Sequence, residues 1–189
     1  MNALTVKGLC KRYPAFSLEN VNFSVPEGAV MGFIGRNGAG KSTTLKALLG
    51  LVHPDAGEVT VLGKSFREEE RYIKERIGVV LGGIDFYPKK KVRLLSDVTR
   101  RFYGNWQEEK YRHYLDLFGI DQEKRVDQLS TGMRVKYMIA LALSHDARLL
   151  ILDEPTSGLD PVSRCELTEL LRRIAADGQR SVLFSTHIT

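Results

Sequence analysis

The residues at 35–42 have types and spacing that suit the binding of an anion. They fit the pattern G-x-x-x-x-G-K-[ST]. Glycines let the backbone curl so that successive N–H groups point inward. Lys41 adds a flexible point charge for β- and γ-phosphates, and Ser42 adds a hydroxyl for Mg²⁺. The stretch therefore predicts a phosphate-binding loop that consists of Gly35, Arg36, Asn37, Gly38, Ala39, Gly40, Lys41 and Ser42 and continues into Thr43.

The residues on either side supply the structure that such a loop requires. Residues 29–34 are apolar and predict a buried strand, and residues 43–49 predict a helix. The positive amino end of this helix would face the same phosphates as the loop. Gly50 follows, which is typical of the carboxyl end of a helix. Strand, loop and helix together predict a nucleotide-binding site.

Two adjacent carboxylates form a second candidate site. The apolar run Leu149–Leu152 predicts a parallel strand that is covered on both faces, and Asp153 and Glu154 follow it directly. Side chains alternate across a strand, so the two acids need not share a role. We expect Asp153 to enter the Mg²⁺ shell and Glu154 to act as the base that orients water.

Turn and strand signals predict the elements that position these residues. Strands are expected at 3–9 and 16–25, with a turn at 26–28, and Tyr13 lies between the two strands. Tyr13 either stacks on adenine or packs at the strand end, and the sequence leaves both alternatives open. Further strands are expected at 58–62, 77–81 and 181–185. Helices are expected over 67–76, after Ser130 as amino-terminal cap, and from Pro161.

Residues 84–128 differ in character, because aromatic and charged residues are interleaved there. Tyr111, Tyr114, Leu115 and Phe118 have helical spacing and predict an amphipathic helix. We interpret the aromatic residues as the core of a small helical insertion. The predicted division of the chain 1–189 is a nucleotide-binding core formed by 1–83 and 146–189, with a helical insertion at 84–145.

Composition sets outer limits on the class of protein. The chain has 189 residues, 43% hydrophobic and 27% charged, which is ordinary for a globular domain. No run of about 18 apolar residues and no signal-peptide pattern occurs, so we expect no membrane-spanning segment. Cys10 and Cys165 are too far apart to suggest a metal site. The net charge is +5, but acidic and basic residues are interspersed, and we expect no nucleic-acid partner.

Five motifs in this order resemble those of the nucleotide-binding subunit of ABC transporters. They are the loop at 35–42, residues 129–133, the strand and acids at 149–154, the turn at 157–160, and His187. The pattern is similar to bacterial export-type ATPases of the antibiotic and multidrug branch. The resemblance implies an α/β fold: a P-loop NTPase (RecA-like) core with an amino-terminal antiparallel β subdomain and an inserted α-helical subdomain.

The resemblance also implies an activity and partners. It implies a subunit that hydrolyses ATP, with Mg²⁺, at a head-to-tail dimer interface. The partners would be a second ATP-binding subunit, in a homodimer or heterodimer, and a separate transmembrane permease. The subunit would lie at the cytoplasmic face of the cell membrane as a peripheral protein. ATP hydrolysis by this subunit would drive export through the permease.

Roles for individual residues follow from the same resemblance. Ser130, Thr131 and Gly132 would contact the γ-phosphate held by the second subunit. Asp160 would lie along the dimer seam. His187 would contact the γ-phosphate, and Tyr13 would stack on adenine.

The sequence departs from the family pattern at three places. Thr131 and Met133 replace a glycine and a glutamine, while the serine and second glycine are kept. Gly82 or Gly83 stands where the family has a glutamine, so water, Asp85 or backbone shape alone would take its place. The chain also ends two residues after His187, and we expect uncovered apolar surface around 181–185.

Two other function classes are alternatives to a transport ATPase. A soluble ABC-type ATPase that acts on ribosomes or DNA usually has two such domains or a long coiled-coil insertion, and the sequence has neither. A non-hydrolysing, nucleotide-gated regulatory module would not need both Glu154 and His187.

Overall fold

The computed structural model describes residues 1–81 and 87–187. Gly82, Gly83 and Asp85, which the sequence analysis selected, lie outside the described residues. The strands are β1 (Asn2–Tyr13), β2 (Phe16–Pro26), β3 (Val30–Ile34), β4 (Ala56–Val61), β5 (Lys64–Ser65), β6 (Ile77–Val80), β7 (Leu149–Leu152) and β8 (Ser181–Thr186). The helices are α1 (Lys41–Leu48), α2 (Glu70–Lys74), α3 (Val92–Arg100), α4 (Glu108–Phe118), α5 (Thr131–Ser144) and α6 (Pro161–Ala175), with a 3₁₀ turn at Val126–Gln128.

The strands form two four-stranded sheets of different kinds. One is antiparallel, with strand order β2-β1-β4-β5, and contains the two predicted amino-terminal strands, which pair as a hairpin. The other is parallel, with order β3-β8-β7-β6. Because parallel strands share one direction, the carboxyl ends of β3, β7 and β8 meet at one edge. The predicted α/β fold class is confirmed, and this edge carries the site.

Strand β7 lies in the interior of the parallel sheet, as its sequence predicts. All four residues of Leu149–Leu152 are completely buried, which fits an apolar run covered on both faces. The expectation of uncovered apolar surface around 181–185 is wrong. Strand β8 lies between β3 and β7, and Val182 and Leu183 are also completely buried.

Helices α3, α4 and α5 enclose a core of their own. The predicted amphipathic helix is confirmed as α4, whose Tyr111 and Leu115 are buried. The hydroxyls of Tyr111 and Tyr137 lie 2.6 Å and 2.8 Å from Ser96 Oγ, so a buried hydrogen-bonded cluster joins the three helices. Not every aromatic residue of this region is internal, because the Phe102 side chain is 76% exposed.

Several element boundaries differ from those predicted. Helix α1 begins at Lys41, two residues earlier than expected, and α2 is half as long as expected. Gly50 has φ +70°, which fits its predicted place just past a helix. Within residues 1–81 and 87–187, none of the helices is long and apolar enough to cross a membrane.

Candidate functional site

The loop at 35–40 connects the carboxyl end of β3 to the amino end of α1. Gly38 and Gly40 have φ +82° and +90°, a region that glycine occupies without steric cost. A Cβ on Gly40 would lie 2.7 Å from Phe16 Cζ and still closer to Leu18 Cδ2. Gly35 N–H donates to the Thr186 carbonyl over 3.3 Å, which joins the loop to β8. The loop conformation is therefore stabilised by packing and by a hydrogen bond to β8, in addition to the positive φ angles that glycine allows.

Lys41 lies beneath this loop with only 7% of its surface exposed. Its Nζ donates to the carbonyls of Gly35 (2.6 Å) and Arg36 (3.2 Å). The same nitrogen lies 3.4 Å from Glu154 Oε1. The ammonium group is therefore held between the loop and the Glu154 carboxylate, while Arg36, Asn37, Gly38 and Ala39 are exposed to solvent.

Asp153 and Glu154 follow β7 and have different surroundings. Asp153 is 8% exposed, and its backbone N–H donates to the Val80 carbonyl over 2.8 Å. Glu154 has φ +49° and a carboxylate that lies between two nitrogens. Its Oε2 lies 2.7 Å from His187 Nδ1, and its Oε1 faces Lys41. The structure thus brings the loop lysine, both acids and the histidine together at one sheet edge.

Ser185 belongs to the same group, although the sequence analysis did not select it. Its Oγ donates to Asp153 Oδ1 over 2.6 Å and accepts the Glu154 N–H over 2.9 Å. The pairing of Leu152 with Phe184 brings Ser185 beside Asp153. No local sequence pattern carries this contact, because it depends on strand order.

The donors at this edge suit Mg²⁺ bound together with a phosphate. Ser42 offers a hydroxyl in the first turn of α1, and Asp153 offers a carboxylate. Among the described residues, no group of three or more His, Cys, Asp or Glu side chains could hold a metal ion. Mg²⁺ is commonly bound by one or two protein oxygens together with substrate phosphates and water. The residues present therefore fit an ion that arrives with a nucleotide.

Tyr13 lies at the end of the β1–β2 hairpin and is 42% exposed. Its ring faces the Phe16 ring, with centroids 6.5 Å apart and planes inclined by 26°. Lys11 Nζ lies 5.7 Å from the Tyr13 centroid. Phe16 in turn borders Gly40 of the loop, so an aromatic surface leads from the loop to Tyr13. No local sequence pattern predicts a place for Phe16 in this surface.

Ser130, Thr131 and Gly132 lie at the start of α5. Ser130 is the predicted cap, because its Oγ accepts the Met133 N–H over 3.2 Å. Ser130 and Thr131 are exposed. A Cβ on Gly132 would lie 3.6 Å from Leu159 Cδ2, so this segment borders the turn before α6.

Asp160 caps the amino end of α6. Its Oδ1 accepts the N–H groups of Val162 and Ser163, each over 3.0 Å, and Ser163 Oγ donates to its Oδ2. These hydrogen bonds, that of the Ser163 hydroxyl foremost, lower the pKa of Asp160. The predicted seam residue therefore also has a structural role within its own subunit.

A glycine loop between strand and helix, with its lysine facing the strand-end acid Glu154, defines a P-loop nucleotide-binding domain. A family model described as ABC transporter matches residues 18–157. The chain belongs to this family, and the predicted membership is confirmed.

Relatives and solved structures agree with this assignment. The chain is 36% identical over 174 residues to the bacitracin transport ATP-binding protein BcrA of Bacillus licheniformis, covering 91% of this chain and 57% of that protein. It is 37% identical over 183 residues to the Nod factor export ATP-binding protein I of Burkholderia orbicola, covering 94% and 60%. It thus spans about three fifths of the length of these relatives.

Two solved structures share the fold. An ATP binding subunit of an ABC transporter is 30% identical with a TM-score of 0.81, and the match covers 98% of this chain and 80% of that one. The cbiO1 protein of Clostridium perfringens, part of the cbiONQ transporter complex, is 25% identical with a TM-score of 0.77. That match covers 99% of this chain and 79% of cbiO1.

Proposed function

We propose that this chain binds and hydrolyses ATP at a head-to-tail interface with a second ATP-binding subunit, and so drives a separate permease. The observation that carries the proposal is the contiguous group of Lys41, Glu154 and His187. Glu154 lies 3.4 Å from the lysine and 2.7 Å from the histidine. A carboxylate placed between the phosphate-loop lysine and a histidine suits the activation of water beside a terminal phosphate.

Each residue of the site has a proposed role. The loop N–H groups and Lys41 hold the β- and γ-phosphates, where helix α1 adds its positive amino end. Ser42 and Asp153 hold Mg²⁺, which when bound neutralises charge on the phosphates. Glu154 orients the attacking water and accepts its proton. His187 steadies the Glu154 carboxylate and faces the γ-phosphate.

The second subunit is proposed to complete the site. Ser130, Thr131 and Gly132 present the amino end of α5 at the surface, and such an end attracts anions. Asp160 lies at the start of α6 on the neighbouring segment. We assign these residues and Asp160 to the dimer seam. There the amino end of α5 would reach the γ-phosphate held by the other subunit. Homodimer and heterodimer are both compatible with these surfaces.

The permease is proposed to cover an apolar groove between α3, α5 and β6. Val98 and Phe102 on its rim are 45% and 76% exposed, and exposed apolar patches of this kind mark protein interfaces. The groove is lined by Val79, Leu81, Leu95, Val98, Phe102, Tyr103, Met138 and Leu141, among others. Docking there would place the subunit at the cytoplasmic face of the membrane as a peripheral protein.

Export is the proposed direction of transport. Two relatives are named for bacitracin transport and for Nod factor export. We also propose the division into a core of 1–83 and 146–189 and a helical insertion of 84–145. Helix α5 joins the two parts, because Tyr137 and Ala140 pack in the helical core while Ile139 and Ala142 pack against the parallel sheet.

Replacement of the loop lysine tests nucleotide binding. Lys41→Ala should lose measurable ATP binding, because the β- and γ-phosphates then lack their main cationic partner. Lys46→Ala is the matched control, since Lys46 is an exposed lysine in the last turn of the same helix. The measurement is titration with a fluorescent ATP analogue in the presence of Mg²⁺. Unchanged affinity in Lys41→Ala would contradict the loop assignment.

A further inference from the structure

Ser185 connects the two acids of the site through one hydroxyl group. The residue is completely buried in β8, next to β7 in the sheet. An amide N–H can only donate, so Ser185 Oγ accepts from Glu154 and gives its own proton to Asp153. The 2.6 Å distance to Asp153 Oδ1 is in the range of a hydrogen bond to a charged group.

The bond to the Glu154 N–H restrains an unfavourable backbone conformation. Glu154 has φ +49°, a left-handed conformation that residues with side chains rarely adopt. Such a conformation persists only where surrounding contacts hold it. The direction of the Glu154 carboxylate, toward Lys41 and His187, depends on this turn of the backbone.

The bond to Asp153 restrains the other acid. A carboxylate anchored through Oδ1 cannot rotate freely about its Cβ–Cγ bond, so Oδ2 keeps one direction. Residues at and just after the carboxyl end of β8 contact the remaining parts of the site: the Thr186 carbonyl accepts from Gly35, and His187, which follows β8, contacts Glu154. The carboxyl end of β8 therefore touches the loop and both acids.

We infer that Ser185 is a positioning residue that aligns the metal-binding carboxylate of Asp153 and the water-activating residue Glu154 with a single hydroxyl. This inference rests on the proposed function. It gives strand β8 itself a part in positioning the site, in addition to that of His187, which follows the strand. Loss of a group that orients a metal ligand typically lowers metal affinity or activity by about 10- to 100-fold.

The test compares two buried serines of the same strand. Ser181 is 2% exposed and its Oγ accepts the Gly28 N–H over 3.0 Å, at the opposite end of β8 from the site. Ser185→Ala and Ser181→Ala each remove one buried hydroxyl that accepts a backbone N–H. Thermal melting shows whether both variants fold. Ser185→Thr keeps the hydroxyl and tests for rescue.

The variants are compared in three measurements: the kinetics of ATP hydrolysis, the Mg²⁺ dependence of nucleotide binding, and nucleotide binding in EDTA. Ser185→Ala should lower kcat for ATP hydrolysis by about 10- to 100-fold and leave KM for ATP within about threefold. The Mg²⁺ concentration that tightens binding of a fluorescent ATP analogue should rise about tenfold or more, while binding in EDTA stays unchanged. Ser181→Ala should match the wild type in all three, and Ser185→Thr should recover most of the activity.

Two outcomes overturn the inference. One is that Ser185→Ala behaves like Ser181→Ala in turnover and in Mg²⁺ dependence. The other is that Ser185→Ala fails to fold while Ser181→Ala folds, since the hydroxyl would then be needed for folding. Failure of the proposed function is distinct from both, because the wild-type chain itself would then neither bind nor hydrolyse ATP.

Discussion

Tyr13 and Phe16 face each other across the β1–β2 hairpin, and Phe16 borders Gly40 of the phosphate loop. Tyr13 extends the aromatic surface outward and keeps 42% of its own surface exposed. A flat, exposed ring beside a phosphate site suits the stacking of a nucleotide base. The Tyr13 ring packs on Phe16 at the strand end and also keeps an exposed face for a base, so base stacking stays a prediction.

Removal of the Tyr13 ring should weaken ATP binding by about 1–3 kcal/mol, the usual range for base–aromatic stacking. ATP and GTP should be affected alike, because stacking reads the face of a base rather than its edge. Tyr72→Ala is the matched control, since Tyr72 is also partly exposed and has a lysine nitrogen 5.8 Å from its ring. Equal affinities of Tyr13→Ala and wild type would assign Tyr13 a structural role.

The sequence was informative about residues whose partners are near in the chain. The loop residues at 35–42 and the cap at Ser130 follow from local spacing, and the structure places both as expected. Phe16 and Ser185 were missed because their contacts cross between strands or from strand to loop. Such contacts depend on strand order and register, which no local pattern contains.

At the scale of elements, a buried histidine follows the last residue of helix α5 as its carboxyl-terminal cap. His145 is 2% exposed, and its ring stacks on Tyr103 with centroids 3.7 Å apart. Its Nδ1 has no hydrogen-bond partner among residues 1–81 and 87–187. Burial disfavours the charged imidazolium and lowers the pKa of His145 to about 4.

This shift predicts a pH dependence of stability. Between about pH 6.5 and 4 the unfolded chain binds a proton at His145 that the folded chain does not. The free energy of unfolding should therefore fall as the pH decreases through this window, by up to about 3 kcal/mol. His145→Phe keeps an aromatic ring and should remove this contribution.

The measurement is urea denaturation at a series of pH values. His53→Phe is the control, because His53 is exposed in a loop. The expected result is that His53→Phe keeps the wild-type loss of stability between pH 6.5 and 4, whereas His145→Phe shows a smaller loss. Identical pH profiles in all three proteins would show that His145 does not titrate as its burial implies.

Elements were predicted best where one sequence pattern fixes one structure. The apolar run of β7 and the helical spacing of α4 were both correct. Helix α2 was predicted too long, because charge at 67–76 indicates a surface segment without setting where hydrogen bonding begins. The strand at 181–185 was predicted correctly, but the expectation that apolar surface around it is uncovered was wrong, because a central position in a sheet is a property of the whole fold.

At the scale of the whole molecule, the order of the motifs predicted the family correctly. The site itself is distributed over distant parts of the chain, and the parallel sheet brings the loop, the acids and His187 to one edge. Residues 130–132 and Asp160 lie instead at the amino ends of α5 and α6. In a head-to-tail dimer, residues 130–132 of one subunit would reach the phosphate held by the loop of the other subunit.

The central claim is therefore a composite site, and trapping of the ATP-bound dimer tests it most directly. Glu154→Gln keeps shape and hydrogen-bonding capacity but removes the carboxylate that accepts the proton of water. Hydrolysis should slow by about 10²–10⁴-fold while ATP binding remains. The chain should then sediment as a monomer without nucleotide and as a dimer that holds two ATP molecules when ATP and Mg²⁺ are present.

A second substitution locates the interface in the same sedimentation measurement. Adding Ser130→Arg to Glu154→Gln should return the ATP-bound protein to the monomer, because bulk and a misplaced charge then lie at the seam. Titration of each subunit with ATP shows that the loop site is still filled. The account predicts an ATP-dependent dimer that Ser130→Arg abolishes. It is contradicted if Glu154→Gln binds ATP and remains monomeric at high protein concentration, a result that favours a nucleotide-gated regulatory module.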